Sequence, residues 1–365
     1  MAGERGEEFR VDGRRVRRLL EAAQLAPFTR LDDRRGVLAP ALTFLAIALL
    51  VWAGWSAWQA GAWALVAACA LLMGTQQHAL FVLAHEAAHY RLFSSRALND
   101  AIGRLAATLG GISMCTYRVT HRLHHNHLYG TQDPDLALNA GYPRGRAYLV
   151  RKLLIDLSGR TAPRTYAYFF GAPAIDTDAR RALRPLDDTS PALRTAARRD
   201  RWVVVAFHLG APLVALLLGG WRGLAAYAVL WLLPLATVLQ ALLRLRAVAE
   251  HGAPAGYESP LTAARTNLPG RGPLGWLVRL ALFPHHVNYH IEHHLYPAVP
   301  HYRLAALHRR LDTEGLLQGA EVRPFTDTLR RVFAPRGSVV VAGRHEGLAH
   351  PEAADAPRPN QEIRT

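Results

Sequence analysis

The sequence predicts an all-α integral membrane protein: four transmembrane helices in two hairpins, under a cytoplasmic helical cap. Three observations carry that expectation. Four segments, Pro40 to Trp58, Ala62 to Leu83, Trp202 to Gly219 and Leu224 to Leu243, contain no Asp, Glu, Lys or Arg, and each is long enough to cross a bilayer as a helix. Within each pair only a few residues intervene, Gln59 to Gly61 and Gly220 to Gly223, so each pair closes as a tight hairpin and both open toward one side. Positive charge marks that side as cytoplasmic: nine arginines precede the first span and eighteen Lys or Arg lie from Arg91 to Arg201, whereas the outer linkers carry only Arg222.

The elements follow in order. Residues 1–38 form a charged cytoplasmic segment that lacks the apolar stretch of a signal peptide, so no cleaved targeting segment is expected. One domain, 39–333, contains the spans at about 40–58, 62–83, 202–219 and 224–243. Between the hairpins, "LNDAIGRLAATLGGISM" (98–114) reads as one helix in the membrane interface, and 137–200, rich in Arg and Pro, skirts the membrane as short helices and loops. "PLGWLVRLALF" (273–283) is a second interfacial helix, too short to span. From 301 to 333 amphipathic helices place Leu304, Leu307 and Leu311 on one face, and 334–365 turns to Pro, Ala, Gly and charge, the composition of a disordered tail. The protein is expected in a bacterial inner membrane, with both termini on the cytoplasmic side.

Composition excludes several functions. A net charge of +15 invites nucleic acid, but basic surface is what an anionic cytoplasmic leaflet and the orientation rule demand, and Lys152 is the sole lysine. No nucleic-acid partner is expected. Two cysteines, Cys69 and Cys115, supply neither a disulfide framework, nor an iron-sulfur cluster, nor a CxxC pair, and read as core residues.

The histidines are concentrated. "HEAAH" holds His85 and His89, "HRLHH" holds His121, His124 and His125, and "HIEHH" holds His290, His293 and His294. Spacings of three and four put these imidazoles on one helix face, aimed at a common point. At this histidine frequency roughly 0.04 HxxHH matches are expected by chance in the chain, so two are a coincidence of about one in a thousand. His85 and His89 directly follow the second span, and His251 lies about two turns past the fourth, so all reach the same cytoplasmic layer. Eight or nine imidazoles exceed what one ion takes, and calcium or magnesium would want oxygen. Two ions fit the count, with iron, copper and zinc all compatible.

"HEAAH", "HRLHH" and "NYHIEHHLYP" resemble, in order and in relation to two hairpins, the three histidine boxes of the membrane fatty acid desaturases. The likeness covers roughly residues 40 to 310 and is most specific at "NYHIEHHLYPAVPHY". It implies two non-haem iron ions held by the eight box histidines, with His251 where some members place a ninth. It implies an O2-dependent enzyme that removes vicinal hydrogens from a lipid acyl chain to leave a double bond. The same boxes serve carotenoid or lipid hydroxylases and ketolases, and a non-redox metal-binding or transport protein stands as an alternative of another class.

Carboxylates beside the boxes, Glu86, Glu250, Glu292, Asp133 and Asp135, are candidates to accept from the far nitrogens of ligating histidines and fix their tautomers, and Asn288 is a candidate to orient a ligand or a bound water. "TQDPD" is equally ordinary turn chemistry. The sequence holds no GxGxxG fingerprint, cluster-binding cysteine set or "HPGG" haem segment, so a separate electron donor of ferredoxin or cytochrome type is expected to dock, steered by the Arg-rich face.

Overall fold

The computed structural model describes residues 8–339 except 12–13, 18, 131–132, 140, 173, 177–180, 184–185, 187–188 and 258. Residues 340–365, most of the expected disordered tail, lie outside the described residues.

The architecture is mostly helical. β1 (Glu8–Val11) and β2 (Arg14–Arg17) pair antiparallel, and α1 (Ala22–Thr29) and α2 (Asp33–Gly36) follow. The Asp32 carboxylate caps α2 by accepting from the Arg34 and Arg35 N–H groups, and the chain runs on into α3 (Leu38–Gln59). It reverses at Gly61, whose φ of +69° suits a residue without Cβ, into α4 (Trp63–Ala88). The first hairpin is as the sequence predicts.

From Met73 to Ala87 every residue of α4 is buried, the polar Gln77, His78 and Glu86 included. It is the central rod, surrounded by α3, by α5 (Arg96–Leu109), by α6 (Met114–Asn126) and by the segment that ends at His251. Leu80, Phe81, Leu83, Trp231, Leu235 and Leu239 fill the core there. The expected single helix over 98–114 is instead two. Gly111 adopts φ +78° between α5 and α6, and the Ser113 hydroxyl restarts the chain by accepting from the Thr116 N–H at 3.2 Å. That break redirects α6 and its histidines under α4.

The cap continues with α7 (Leu136–Asn139), α8 (Arg146–Leu157), α9 (Ala162–Phe169) and the pair β3 (Ala174–Asp176) and β4 (Arg181–Leu183). α10 (Pro191–Tyr227) breaks at Gly220, with φ 59° and ψ −155°. A Cβ on Gly223 would collide with the Ala215 carbonyl, so the chain has turned back on itself. Among the described residues, three helical stretches are long and apolar enough to cross a membrane, Asp33–Gln59, Trp63–Ala88 and Pro191–His251, and the third contains this reversal. Past it lie a π-helical turn (Ala228–Leu232), α11 (Leu233–Ala236) and α12 (Val238–His251). The expected uninterrupted helix over 224–243 is therefore segmented. Pro234 has no N–H to donate, and a widened turn just before it accommodates the gap.

Then come α13 (Pro260–Ala263), β5 (Thr266–Leu268), α14 (Gly272–Ala281), a 3-10 turn (Pro284–His286), α15 (His290–Leu295), α16 (His301–Thr313), β6 (Val322–Pro324) and α17 (Phe325–Val332). β5 and β6 pair in parallel. Leu304, Leu307 and Leu311 bury against Ile291 and Leu295, making a second core that holds α15 in place.

Candidate metal centre

Four helices bring imidazoles to one region. α4 carries His85 in its last turn with His89 at its C-cap, α6 carries His121, His124 and His125 in its last turns, α12 ends on His251, and α15 carries His290, His293 and His294. All nine assemble, in two groups. His85, His89, His121, His125 and His293 form the first, and His124, His251, His290 and His294 the second. Within each, one ring nitrogen per residue lies within 4.8 Å of the others.

Each HxxHH triplet is thus divided between groups, which corrects the expectation of a common point. With 3.6 residues per turn, positions i and i+4 diverge by about 40° while i+3 falls about 60° to the other side. His121 and His125 accordingly face the first group and His124 the second, while His290 and His294 face the second and His293 the first. The His125 and His294 rings, stacked at 4.2 Å, join the two.

The nitrogens face inward at coordination spacing. In the first group His121 Nε2 is 2.8 Å from His89 Nε2 and 3.0 Å from His125 Nε2, which is 3.0 Å from His293 Nε2. In the second, His251 Nε2 is 3.2 Å from His124 Nε2 and 2.7 Å from His290 Nε2, which is 3.2 Å from His294 Nε2. Two nitrogens bound at right angles to one ion, with bonds of about 2.0–2.1 Å, sit about 2.9 Å apart.

The outward nitrogens explain why Nε2 is free. His85 Nδ1 donates to Glu86 at 3.2 Å, His124 Nδ1 to Asp133 at 2.9 Å, and His251 Nδ1 to the Ala263 carbonyl at 3.2 Å. His85 Nε2 has no hydrogen-bond partner among the described residues. With the Nδ1 hydrogens of His124 and His251 committed, the two Nε2 atoms face each other at 3.2 Å, close enough to share a proton or a metal ion. The donor set therefore fits metal ions that accept imidazole.

Electrostatics agree. Burial, and then the neighbouring imidazoles, hold His121, His125, His290, His293 and His294 well below the ordinary histidine value, and burial followed by Arg91 brings His89 to about 3. His124 is the exception. Burial opposes its charge, but the Asp133 and Asp135 carboxylates outweigh burial and push it up to about 9, a sign that this end of the centre favours positive charge.

A pH dependence follows. The depressed histidines stay neutral in the folded chain, whereas in the unfolded chain they protonate near 6.5. Their contribution to stability is complete above about pH 6.5 and declines as pH falls toward about 3. His124 acts oppositely, its contribution lost as pH rises through about 9. Six groups outnumber one, so the melting temperature of the metal-free protein in detergent is expected to drop steadily from pH 7 to pH 5.

The expected supporting residues divide. Asp133 is buried beside His124 and also accepts from the Tyr129 and Asp135 N–H groups, while Asp135 stands farther off, at 3.6 Å from His124 Nδ1. Glu86 touches His85, and Glu250, held by Arg246 at 2.8 Å, lies 3.6 Å from His290 Nε2. Asn288 and Glu292 do not serve as the sequence suggests. Asn288 donates to the Asn267 carbonyl at 3.0 Å, and Glu292 accepts from Thr266 at 2.6 Å and His308 at 2.5 Å, so both anchor α15 to its neighbours. Sequence reasoning missed the Ala263 carbonyl, the Tyr129 hydroxyl that donates to the His251 carbonyl, and Arg265. Replacing Asp133 by Asn, which keeps shape and removes charge, is expected to weaken metal binding in the second group about 10–100-fold while leaving the first occupied, as read by competition with a chelator.

Residues 61–326 match the family model described as fatty acid desaturase. The dihydrorhizobitoxine desaturase of Bradyrhizobium elkanii is 27% identical over 255 residues, an alignment that covers 66% of this chain and 66% of that relative. The chain thus spans just under two thirds of that relative's length.

Proposed function

The chain belongs to the fatty acid desaturase family, and from that premise we propose that it is a membrane enzyme using O2 and two non-haem irons to place a double bond in a lipid acyl chain. The observation that carries the reading is the gathering of nine imidazoles from four helices into inward-facing groups of five and four.

When bound, an iron pair supplies reductive activation of O2 and the removal of hydrogen from an unactivated methylene. The protein's part is to hold His85, His89, His121, His125 and His293 around one ion and His124, His251, His290 and His294 around the other. Glu86, Asp133 and the Ala263 carbonyl keep Nδ1 protonated and Nε2 available. The surrounding burial excludes water. His89 and His125 are only partly buried, so the first group is the more open side.

Four spans are part of the proposal, with Gly220 as the second outer turn. Leu209, Leu217, Leu218 and Trp221 are exposed on α10, and only 6% of its most apolar window is buried. That surface is suited to lipid. An apolar cavity of about 520 Å³ lined by Trp58, Trp63, Val66 and Leu233 lies toward the other end of α4, roughly 20–30 Å from His85 at 1.5 Å per residue, too far to hold the reacting carbons. Desaturation also consumes two electrons and two protons from outside. We assign their delivery to a separate acidic carrier that meets the basic face, where Arg122 is exposed between His121 and His124. Donor-linked turnover is expected to slow several-fold as ionic strength rises from about 0.05 M to about 0.5 M, and an unchanged rate would count against this docking.

The test is expression with a matched donor, followed by gas chromatography of host lipids and metal analysis. New unsaturated acyl esters with iron in the protein are expected. Oxygenated lipids or pigments would assign hydroxylation, and zinc with an unchanged lipid profile would overturn the redox reading.

A further inference from the structure

A second set of imidazoles lies outside the two groups. His286 is exposed, His285 beside it is half-buried, and His301 is 5% exposed with neither ring nitrogen hydrogen-bonded among the described residues. The His285 and His301 rings lie 5.7 Å apart. The His301 backbone N–H donates to Glu86 Oε2 at 3.1 Å, and Glu86 Oε1 accepts from His85 Nδ1 at 3.2 Å. His286, His285 and His301 thus form a row whose inner end is joined to Glu86, and through it to His85, by the His301 main chain.

Two independent features show that this row is costly to maintain. A buried imidazole with both nitrogens unpartnered loses the hydrogen bonds it would make to water. His285 and His286 also adopt consecutive left-handed φ values of 54° and 60°, a conformation that side chains resist and that tends to persist at working sites. The Thr43 hydroxyl, 3.0 Å from His285 Nε2, helps hold this turn against α3. Seven of the nine clustered histidines are buried, so an ion needs a way past them.

We propose that His286, His285 and His301 form the route by which a divalent first-row metal ion passes from solvent to the buried histidine groups, with Glu86 as the last relay before His85. The proposal rests on reading the nine clustered histidines as metal ligands. Burial holds His285 and His301 below the ordinary histidine value, leaving lone pairs to offer. Among the described residues these nitrogens are not gathered within 4.8 Å as the two groups are, so the row holds an ion by one or two ligands and releases it. The Glu86 carboxylate offsets part of the cost of moving a cation inward.

The experiment uses the full chain in detergent, comparing wild type with His301→Ala and His285→Ala. Metal release from the loaded protein to a chelator and uptake of Co(II), followed by its visible absorption, are measured alongside equilibrium metal content. Both rates are expected to slow about tenfold with content unchanged, because removing a shared path slows both directions equally. Unchanged rates would overturn the proposal. So would faster release or lowered content, which would mean that the residues merely support the fold. Wild type that holds no metal would defeat the ligand reading itself, a failure visible before any variant is made.

Discussion

Replacing His293 with alanine is expected to remove one of two metal ions and to abolish turnover. His293 Nε2 lies 3.0 Å from His125 Nε2 in the first group, while its neighbour His294 belongs to the second. The loss in metal affinity should exceed the roughly 10–100-fold caused by removing a supporting partner, since a ligand itself is gone. Metal content should fall from two equivalents to one. His294→Ala should have the complementary effect, emptying the second group and sparing the first. Either variant should lose essentially all product, because two ions that act as a unit are not additive in their contributions. Metal analysis beside product yield for the two variants checks this, and a drop of both ions together in each variant would argue for a single undivided site.

Arg265→Met is expected to be the most damaging change that touches no histidine ring. Arg265 is fully buried and donates to the carbonyls of Ala249, Gly252 and Ala253 at 3.0, 3.0 and 2.8 Å, and to Glu321 at 3.0 Å. It thereby binds the Ala249 carbonyl of α12 and those of Gly252 and Ala253 just past its end at His251. Methionine fills the space but leaves the Gly252 carbonyl without its donor, while Ala249 keeps Asn267 and Ala253 keeps Arg331, with a cost of about 1–3 kcal/mol. Glu321 keeps Arg323 at 2.7 Å, so the damage centres on α12 rather than on a stranded carboxylate. A lower melting temperature together with selective metal loss from the second group is the expected result. Lysine should not rescue it, because one ammonium cannot reach three carbonyls as a planar fork does.

How far the sequence revealed this depended on how local the signal was. The long apolar helices were legible because runs such as Pro40 to Trp58 carry no charge, and the clustered histidines because their spacing repeats within a single helix. The division of each triplet between two groups was not anticipated, although it follows from the 40° and 60° offsets once α6 and α15 face each other. Helix ends were less legible. Gly110 and Gly111 read as part of an apolar helix, yet Gly111 turns the chain so that α6 begins again at Met114. The supporting partners were least legible of all. Asn288 and Glu292 sit in the most specific motif, but their partners Asn267, Thr266 and His308 come from elements whose approach no local pattern encodes. A backbone carbonyl such as that of Ala263 has no signature in the sequence at all.

The most direct check is X-ray absorption at the iron edge of the purified protein, with iron counted per chain. Two irons, each surrounded by nitrogen and oxygen with the outer-shell scattering of several imidazole rings, are expected. One iron per chain, sulfur in the first shell, or an iron environment without imidazole scattering would contradict the pairing of the nine histidines around two ions.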